Sequence, residues 1–258
     1  MADPVEAAAA PKPLEGQVAI VTGASRGIGR AIAVRLGGLG ATVIVNYRVG
    51  RDSAEAAVRE VVAAGGAARA GQADVGRPAE ARRLVEDALA EHGRIDVLVN
   101  NAAIQRAAPL HKMTDGDWQD VIDVNLSAVF HLCRAALPAM LAARRGHIIN
   151  VTSASAFTAQ RGAASYVASK AGLIGLTKAL ALETASKGIL VNAISPGLTD
   201  TDLVRGLTDA QRQALLGMVP LGRIAAPEEV AAMVGFLVTD ARYSTGNVFH
   251  VSGGVVLG

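Results

Sequence analysis

Cysteine is nearly absent. Cys133 stands alone in 258 residues, which excludes an internal disulfide framework and a cysteine-rich metal site. It lies in an apolar helical stretch and reads as core filler in a reducing compartment. The five histidines, His92, His111, His131, His147 and His250, show no ligand spacing, so no metal is expected. Net charge is only +2, and the densest basic pair is Arg144-Arg145. No basic stripe suggests nucleic acid. No apolar run approaches the roughly 20 residues that span a bilayer. The opening MADPVEAAAAPKPLEG lacks the basic start and apolar block of a secretory signal. Together these absences predict a cytoplasmic chain with neither nucleic acid nor membrane as partner.

What is present points to a globular enzyme-sized domain. Apolar residues make up 51% and charged ones 19%, enough apolar surface to fold. Mean hydropathy is +0.33, a value that buried parallel strands and apolar helix faces at a subunit interface can absorb. Alanine, proline and glutamate suggest a flexible tail over residues 1–15. From there strand and helix patterns alternate. Apolar β-branched runs fall at 17–22, 41–47, 67–73, 95–99, 146–152, 189–194 and 246–251. Helical patterns fall at 52–64, 78–92, 117–143, 163–187 and 227–237. Pro138 should kink the long 117–143 helix. Residues 198–217 form a polar candidate substrate lid. The alternation predicts an α/β fold: one doubly wound (Rossmann) parallel sheet of about seven strands, helices on both faces, spanning 16–258.

The first strand runs into Gly23-Ala24-Ser25-Arg26-Gly27-Ile28-Gly29 and then a helix. A strand, glycine turn and helix suit a nucleotide pyrophosphate, because glycines let backbone approach and the helix start offers free N–H groups. The alternative is a tight turn with no ligand. A free ribose 2′-hydroxyl is usually held by an acidic residue at the end of the second strand. That end reads Asn46-Tyr47-Arg48, without a carboxylate. With Arg26 in the turn as well, the pattern favours a 2′-phosphate, hence NADP(H) over NAD(H), unless both arginines merely face solvent. Asn100-Asn101-Ala102 ends the fourth strand, where asparagines either bridge to a ligand or cap a turn. Asn125, inside a helix, is either a satisfied buried amide or a distortion that holds a water.

Tyr166 and Lys170 lie four apart, on one face of a helix. Bringing a phenol from about 10 to about 7 requires roughly 4 kcal/mol of preference for the phenolate. One cation about 4 Å away, at an effective dielectric near 20, supplies about that much. Ser153 ends the fifth strand, on the edge of the sheet where ligands bind.

With Ser153, Tyr166 and Lys170 downstream of the Thr22–Gly29 turn, the sequence resembles the short-chain dehydrogenase/reductases, including members like the bacterial 3-oxoacyl-carrier-protein reductases. The resemblance covers residues 16–258 and includes Asp74, the NNA strand end, the DVN helix (Asp123 to Asn125) and Pro196-Gly197 followed by Thr201. It implies an NADP(H)-dependent oxidoreductase acting on a small-molecule carbonyl or alcohol, assembled as a homotetramer. Gly23, Gly27 and Gly29 would shape the pyrophosphate turn with Ile28, and Ser25 and Arg26 would help at the ribose phosphate. Asp74 and Val75 would flank the adenine, with Asn101 and Ala102 at the adjoining ribose. Ile194, Pro196, Gly197 and Thr201 would contact the nicotinamide half. Ser153 would bind the substrate carbonyl, Tyr166 would move the proton, and Lys170 would bind the nicotinamide ribose and lower the tyrosine pKa. Asn125 would hold a water that relays protons to Lys170. Ala103 and Ser252 replace the family's usual glycine and aspartate, and IQRAAPL after NNAA departs from the carrier-protein reductases' signature. The alternative function is a catalytically silent NADP(H)-binding sensor or scaffold.

Overall fold

The computed structural model describes residues 12–206 and 208–257. The first half of the sheet comprises β1 (Val18–Val21), α1 (Gly27–Gly38), β2 (Thr42–Tyr47), α2 (Arg51–Ala63), β3 (Ala67–Gln72) and α3 (Pro78–His92). There follow β4 (Val97–Asn100), α4 (Asp115–Ile122), α5 (Ala128–Ala143), β5 (Gly146–Val151), α6 (Ser155–Thr158) and α7 (Ala164–Thr184). The chain continues through β6 (Ile189–Pro196), α8 (Asp202–Arg205), α9 (Asp209–Leu216), α10 (Pro227–Thr239) and β7 (Val248–Val251). All seven strands pair in parallel, in the order β3-β2-β1-β4-β5-β6-β7. The order reverses between β1 and β4, which opens a ligand crevice at the carboxyl ends there.

Strand alternation builds a core on each face. Ala19 and Val21 of β1 pack with Ile32 and Leu36 of α1, Val61 of α2 and Val234 of α10. Val18 and Ile20 turn the other way, toward Leu84 of α3, Leu132 of α5 and Leu173 of α7. The sheet is therefore the doubly wound one expected from the alternation, and both of its faces are covered.

Two expectations need adjusting. Residues 1–11 of the expected tail lie outside the described residues. Leu14, however, is 1% exposed and its N–H donates to the Leu39 carbonyl at 2.9 Å; an apolar leucine joins the α1 layer and draws residues 12–15 onto the domain. The 117–143 stretch is not one α-helix: Asp123–Ser127 forms a π turn between α4 and α5, and α5 runs on through Pro138. The 198–217 candidate lid contains α8 and α9, the latter started by a Thr208 capping box.

The count of uninterrupted apolar residues did not anticipate that the continuous helical stretch Asp115–Ala143 passes for a membrane span by length and composition alone; 33% of its apolar window is buried in the fold. Its outer side leaves Phe130 and Leu141 45% and 38% exposed.

Candidate active site

The glycine turn leaves β1 at the carboxyl edge of the sheet. Gly23 and Gly27 have φ of +61° and +54°, a region that only glycine enters freely. A Cβ on Gly29 would stand 2.4 Å from the Gly23 carbonyl oxygen, and one on Gly23 would stand 2.9 Å from Ala102 Cα. On its open side, α1 begins at Arg26 without a side-chain cap and with no acidic residue in its first turn. Uncapped N–H donors beside an exposed arginine fit an anionic pyrophosphate. Ser25 and Ile28 are half-buried along the same turn.

Three side chains hold this turn from behind. Asn46 accepts from Gly23 N at 3.2 Å and donates to the Gly71 and Ala73 carbonyls. Asn101 donates to the Thr22 and Gly23 carbonyls at 2.8 and 3.2 Å. The Thr22 hydroxyl accepts from the N–H groups of Asn101 and Ala102 at 2.9 and 3.0 Å. The amides of Asn46 and Asn101 therefore shape the cradle. Sequence reasoning assigns Thr22 no role; its place directly before the first glycine is the available signal.

Of Asn46-Tyr47-Arg48, the first two are buried and only Arg48 is exposed. The Arg48 guanidinium lies 4.0 Å from the Asp74 carboxylate, which also accepts from Gly76 N at 3.1 Å. Val75 is buried beside it. Arg26 pairs with Asp202 of α8 at 3.1 Å across exposed surface, a contact worth little in energy. At the other half of the crevice, Pro196 accepts from Ala154 N at 2.9 Å, and Gly197 N donates to the Val251 carbonyl at 2.9 Å. Thr201 packs its methyl toward Gly27. Ile194 is fully buried in the core; it supports the crevice floor rather than its surface.

Ser153 follows β5, and α7 presents Tyr166 and Lys170 on one face. Lys170 is 2% exposed, and its ammonium donates to the Val151 carbonyl at 2.7 Å. Burial pulls its pKa down to about 8. Its Nζ stands 5.8 Å from the Tyr166 ring centroid. Tyr166 itself shifts the opposite way from the sequence expectation. Burial pushes its hydroxyl up, and a hydrogen bond with Ser153 offsets only part of this. Helical spacing places a cation near the phenol, but desolvation depends on the whole packing around it and here dominates.

Asn125 sits at the centre of the π turn and is 1% exposed. Its amide donates to the Ile104 carbonyl at 3.0 Å and to the Ser169 hydroxyl at 3.1 Å, while its oxygen accepts from Ile104 N at 2.9 Å. The buried-amide reading is the one the hydrogen bonds match, and the helix is distorted at this residue as well. Further polar contacts tie α7 to β5. Thr152 donates to the Lys170 carbonyl at 2.8 Å, and Asn150 donates to Thr177 at 2.9 Å while accepting from Asn100 at 2.8 Å. The Cys133 thiol, buried against Asn100, is pushed up to about 12 by desolvation, which leaves it an unreactive core group.

Residues 17–212 match the family described as short chain dehydrogenase. The chain is 46% identical to 3-oxoacyl-[acyl-carrier-protein] reductase of Synechocystis sp. over 246 residues, covering 95% of this chain and 98% of the relative. It is 44% identical to the reductase FabG of Staphylococcus epidermidis over 240 residues, 93% of this chain and 98% of the relative. It is likewise 44% identical to FabG of Escherichia coli strain K12 over 244 residues, 94% and 98% of the two chains. These likenesses run to enzymes and lend no support to a silent sensor or scaffold. Matched by the family model over residues 17–212 and by relatives along nearly its full length, the chain belongs to the short-chain dehydrogenases and is an oxidoreductase that works with a nicotinamide cofactor.

Proposed function

We propose that the chain reduces the 3-oxo group of acyl thioesters borne on acyl carrier protein, taking NADPH in preference to NADH. The observation that carries this reading is the near-full-length likeness to reductases of that name, 46% identical over 95% of the chain. The departure at IQRAAPL lies in one loop and is outweighed by a likeness that extends across the whole sheet. The exposed Arg48 and Arg26, with no carboxylate closing β2, support the choice of NADPH.

A bound NADPH supplies hydride to the carbonyl carbon. The residues of the chain do the rest. The Ser153 hydroxyl donates to the carbonyl oxygen and holds it beside Tyr166. As the C=O π electrons move onto oxygen, Tyr166 gives it a proton. The phenolate left behind is stabilised by Lys170, which at pH 7 is still largely an ammonium. Lys170 also binds the nicotinamide ribose, and a water chain returns the proton. We assign the first water of that chain to the backbone of the π turn, because the Asn125 amide is already engaged. Gly23 to Gly29 receive the pyrophosphate, Asp74, Val75, Asn101 and Ala102 line the adenosine half, and Pro196, Gly197 and Thr201 line the nicotinamide half.

We read the enzyme as a cytoplasmic homotetramer. The exposed apolar residues of α5, with Leu182 of α7 at 86% and Phe236 of α10 at 49% exposed, support covered faces in an assembly.

The test is NADPH consumption with an acetoacetyl thioester on acyl carrier protein, beside free ketones, sugars and secondary alcohols, with Tyr166→Phe in parallel. Fastest turnover on the carrier-borne thioester, lost in Tyr166→Phe, is the expected result. Faster turnover on a free ketone would overturn the substrate, and preference for NADH would overturn the roles of Arg48 and Arg26.

A further inference from the structure

The segment that carries Ser153 is held at several points. Its backbone turns back at once: Ser155 N donates to the Ser153 hydroxyl oxygen at 3.2 Å, and Ala156 N donates to the Ser153 carbonyl at 3.0 Å. Ala154 N reaches Pro196 of β6 at 2.9 Å. One residue further along α6, the Phe157 ring meets the His250 ring edge-on, with centroids 4.7 Å apart and planes at 81°. His250 lies on β7 in register with Ser195 of β6. The serine segment is therefore fixed to two neighbouring strands, to β6 by backbone and to β7 by this ring contact.

One feature shows that the backbone of this segment is strained, and a second that the His250 ring is held without a hydrogen bond at Nδ1. Ala159, directly after α6, has φ +59° and ψ 171°, a conformation nearly confined to glycine that persists only when its surroundings impose it. His250 Nδ1 is buried with no hydrogen-bond partner among the described residues. The contact this imidazole makes is the edge-to-face one with the Phe157 ring.

We propose that His250 is a positioning residue for Ser153, acting through Phe157. The ring contact sets the height of α6 over the sheet edge, and α6 sets where the Ser153 hydroxyl stands relative to Tyr166. The strained Ala159 keeps the segment taut between that contact and the start of α7. This rests on the reading of Ser153 as the carbonyl-binding residue.

The test compares His250→Ala, His250→Phe and Ser153→Ala in the full-length enzyme, with NADPH and acetoacetyl-CoA as the probe thioester. NADPH binding is followed separately by its fluorescence. His250→Ala should lower kcat about tenfold, since sub-ångström misplacement of a reacting group is enough for that. NADPH affinity should stay unchanged, because the glycine cradle lies elsewhere. His250→Phe, which restores a ring against Phe157, should recover most of the loss. Ala159→Gly should raise the melting temperature yet lower kcat, which a purely structural role would not do. Equal kcat in His250→Ala and wild type, or equal loss in the Ala and Phe variants, overturns the proposal. If His250→Ala fails to fold, Phe157→Ala against Phe157→Tyr reads the same contact by the same criterion. Full turnover in Ser153→Ala would overturn the parent reading and this one with it; loss in Ser153→Ala beside an unaffected His250→Ala sinks this one alone.

Discussion

Two charges are buried at opposite edges of the same sheet, and they are treated differently. Asp96, before β4 at the amino edge, is 4% exposed. It accepts from Arg94 through two nitrogens at 2.8 and 2.6 Å, from Val18 N at 2.9 Å, and lies 3.4 Å from Arg145. Lys170, at the carboxyl edge, is 2% exposed, and its ammonium has the Val151 carbonyl as acceptor. Asp96 is matched by charge and by backbone and behaves as structure. Lys170 is under-matched, so burial lowers its pKa. A fold retains such a group at the expense of stability, which is why an under-matched buried charge marks a working site.

The sharpest way to break the comparison is Lys170→Met. Loss of the cation should lower kcat by roughly 10²–10⁴-fold, the usual worth of a positioned acid–base group. The same change should stabilise the protein at pH 7 by about 3 kcal/mol, the equivalent of a pKa moved from 10.5 to about 8. The sign follows from proton linkage. The folded state holds this proton less tightly than the unfolded one, so the penalty is complete below pH 8 and fades as pH rises from about 8 to 10.5. Wild-type stability should gain over that window relative to Lys170→Met. Denaturant melts of both proteins at pH 7 and pH 10 measure this, and a variant less stable than wild type at pH 7 would contradict it.

Asp96→Asn should do the reverse. It leaves Arg94 facing a neutral amide, and it should cost about 2 kcal/mol, below the 3–5 kcal/mol of fully buried pairs because Arg94 and Arg145 keep partial contact with solvent. kcat and KM should not change. A melt together with steady-state kinetics checks both halves, and a kinetic effect without a stability loss would show that the amino edge is not merely structural.

The contrast also explains what could be read in the chain beforehand. The strands, the glycine turn and the Tyr166–Lys170 spacing were legible because each is a local pattern of period, glycine or helical offset. The partners that finish the site were not, because they come from far along the chain. Thr22 and Asn101 are 79 residues apart, and Asn125 and Ser169 are 44 apart. The oddity of Asn125 was visible as a poor helix former, but its π turn and its grip on Ile104 depend on two other segments. The direction of the Tyr166 shift was missed for the same reason. A neighbouring cation can be placed from spacing, whereas desolvation depends on everything that packs around the phenol. Leu14 shows a smaller version: composition marked residues 12–15 as tail, and one leucine with a core to join reversed that.

His147 sharpens the comparison at its smallest scale. It begins on β5 at the amino edge, near Asp96, and its Nδ1 is buried with no hydrogen-bond partner among the described residues. Burial lowers its pKa most, Asp96 raises it by less, and Arg242 lowers it further. The net direction is down, so the unfolded chain takes up this proton first as pH falls. Its contribution to stability is therefore intact above the unfolded value of 6.5 and declines as pH drops below it. Replacing it with an uncharged residue of similar size, His147→Gln, should flatten the fall in melting temperature between pH 7.5 and 5.5 without altering kcat at pH 7.5. The amino edge would then lose stability in acid through a mismatched imidazole, and the carboxyl edge would gain it in alkali as a mismatched ammonium gives up its proton. An unchanged slope in His147→Gln would assign the acid sensitivity to other groups and confine the mismatch argument to Lys170.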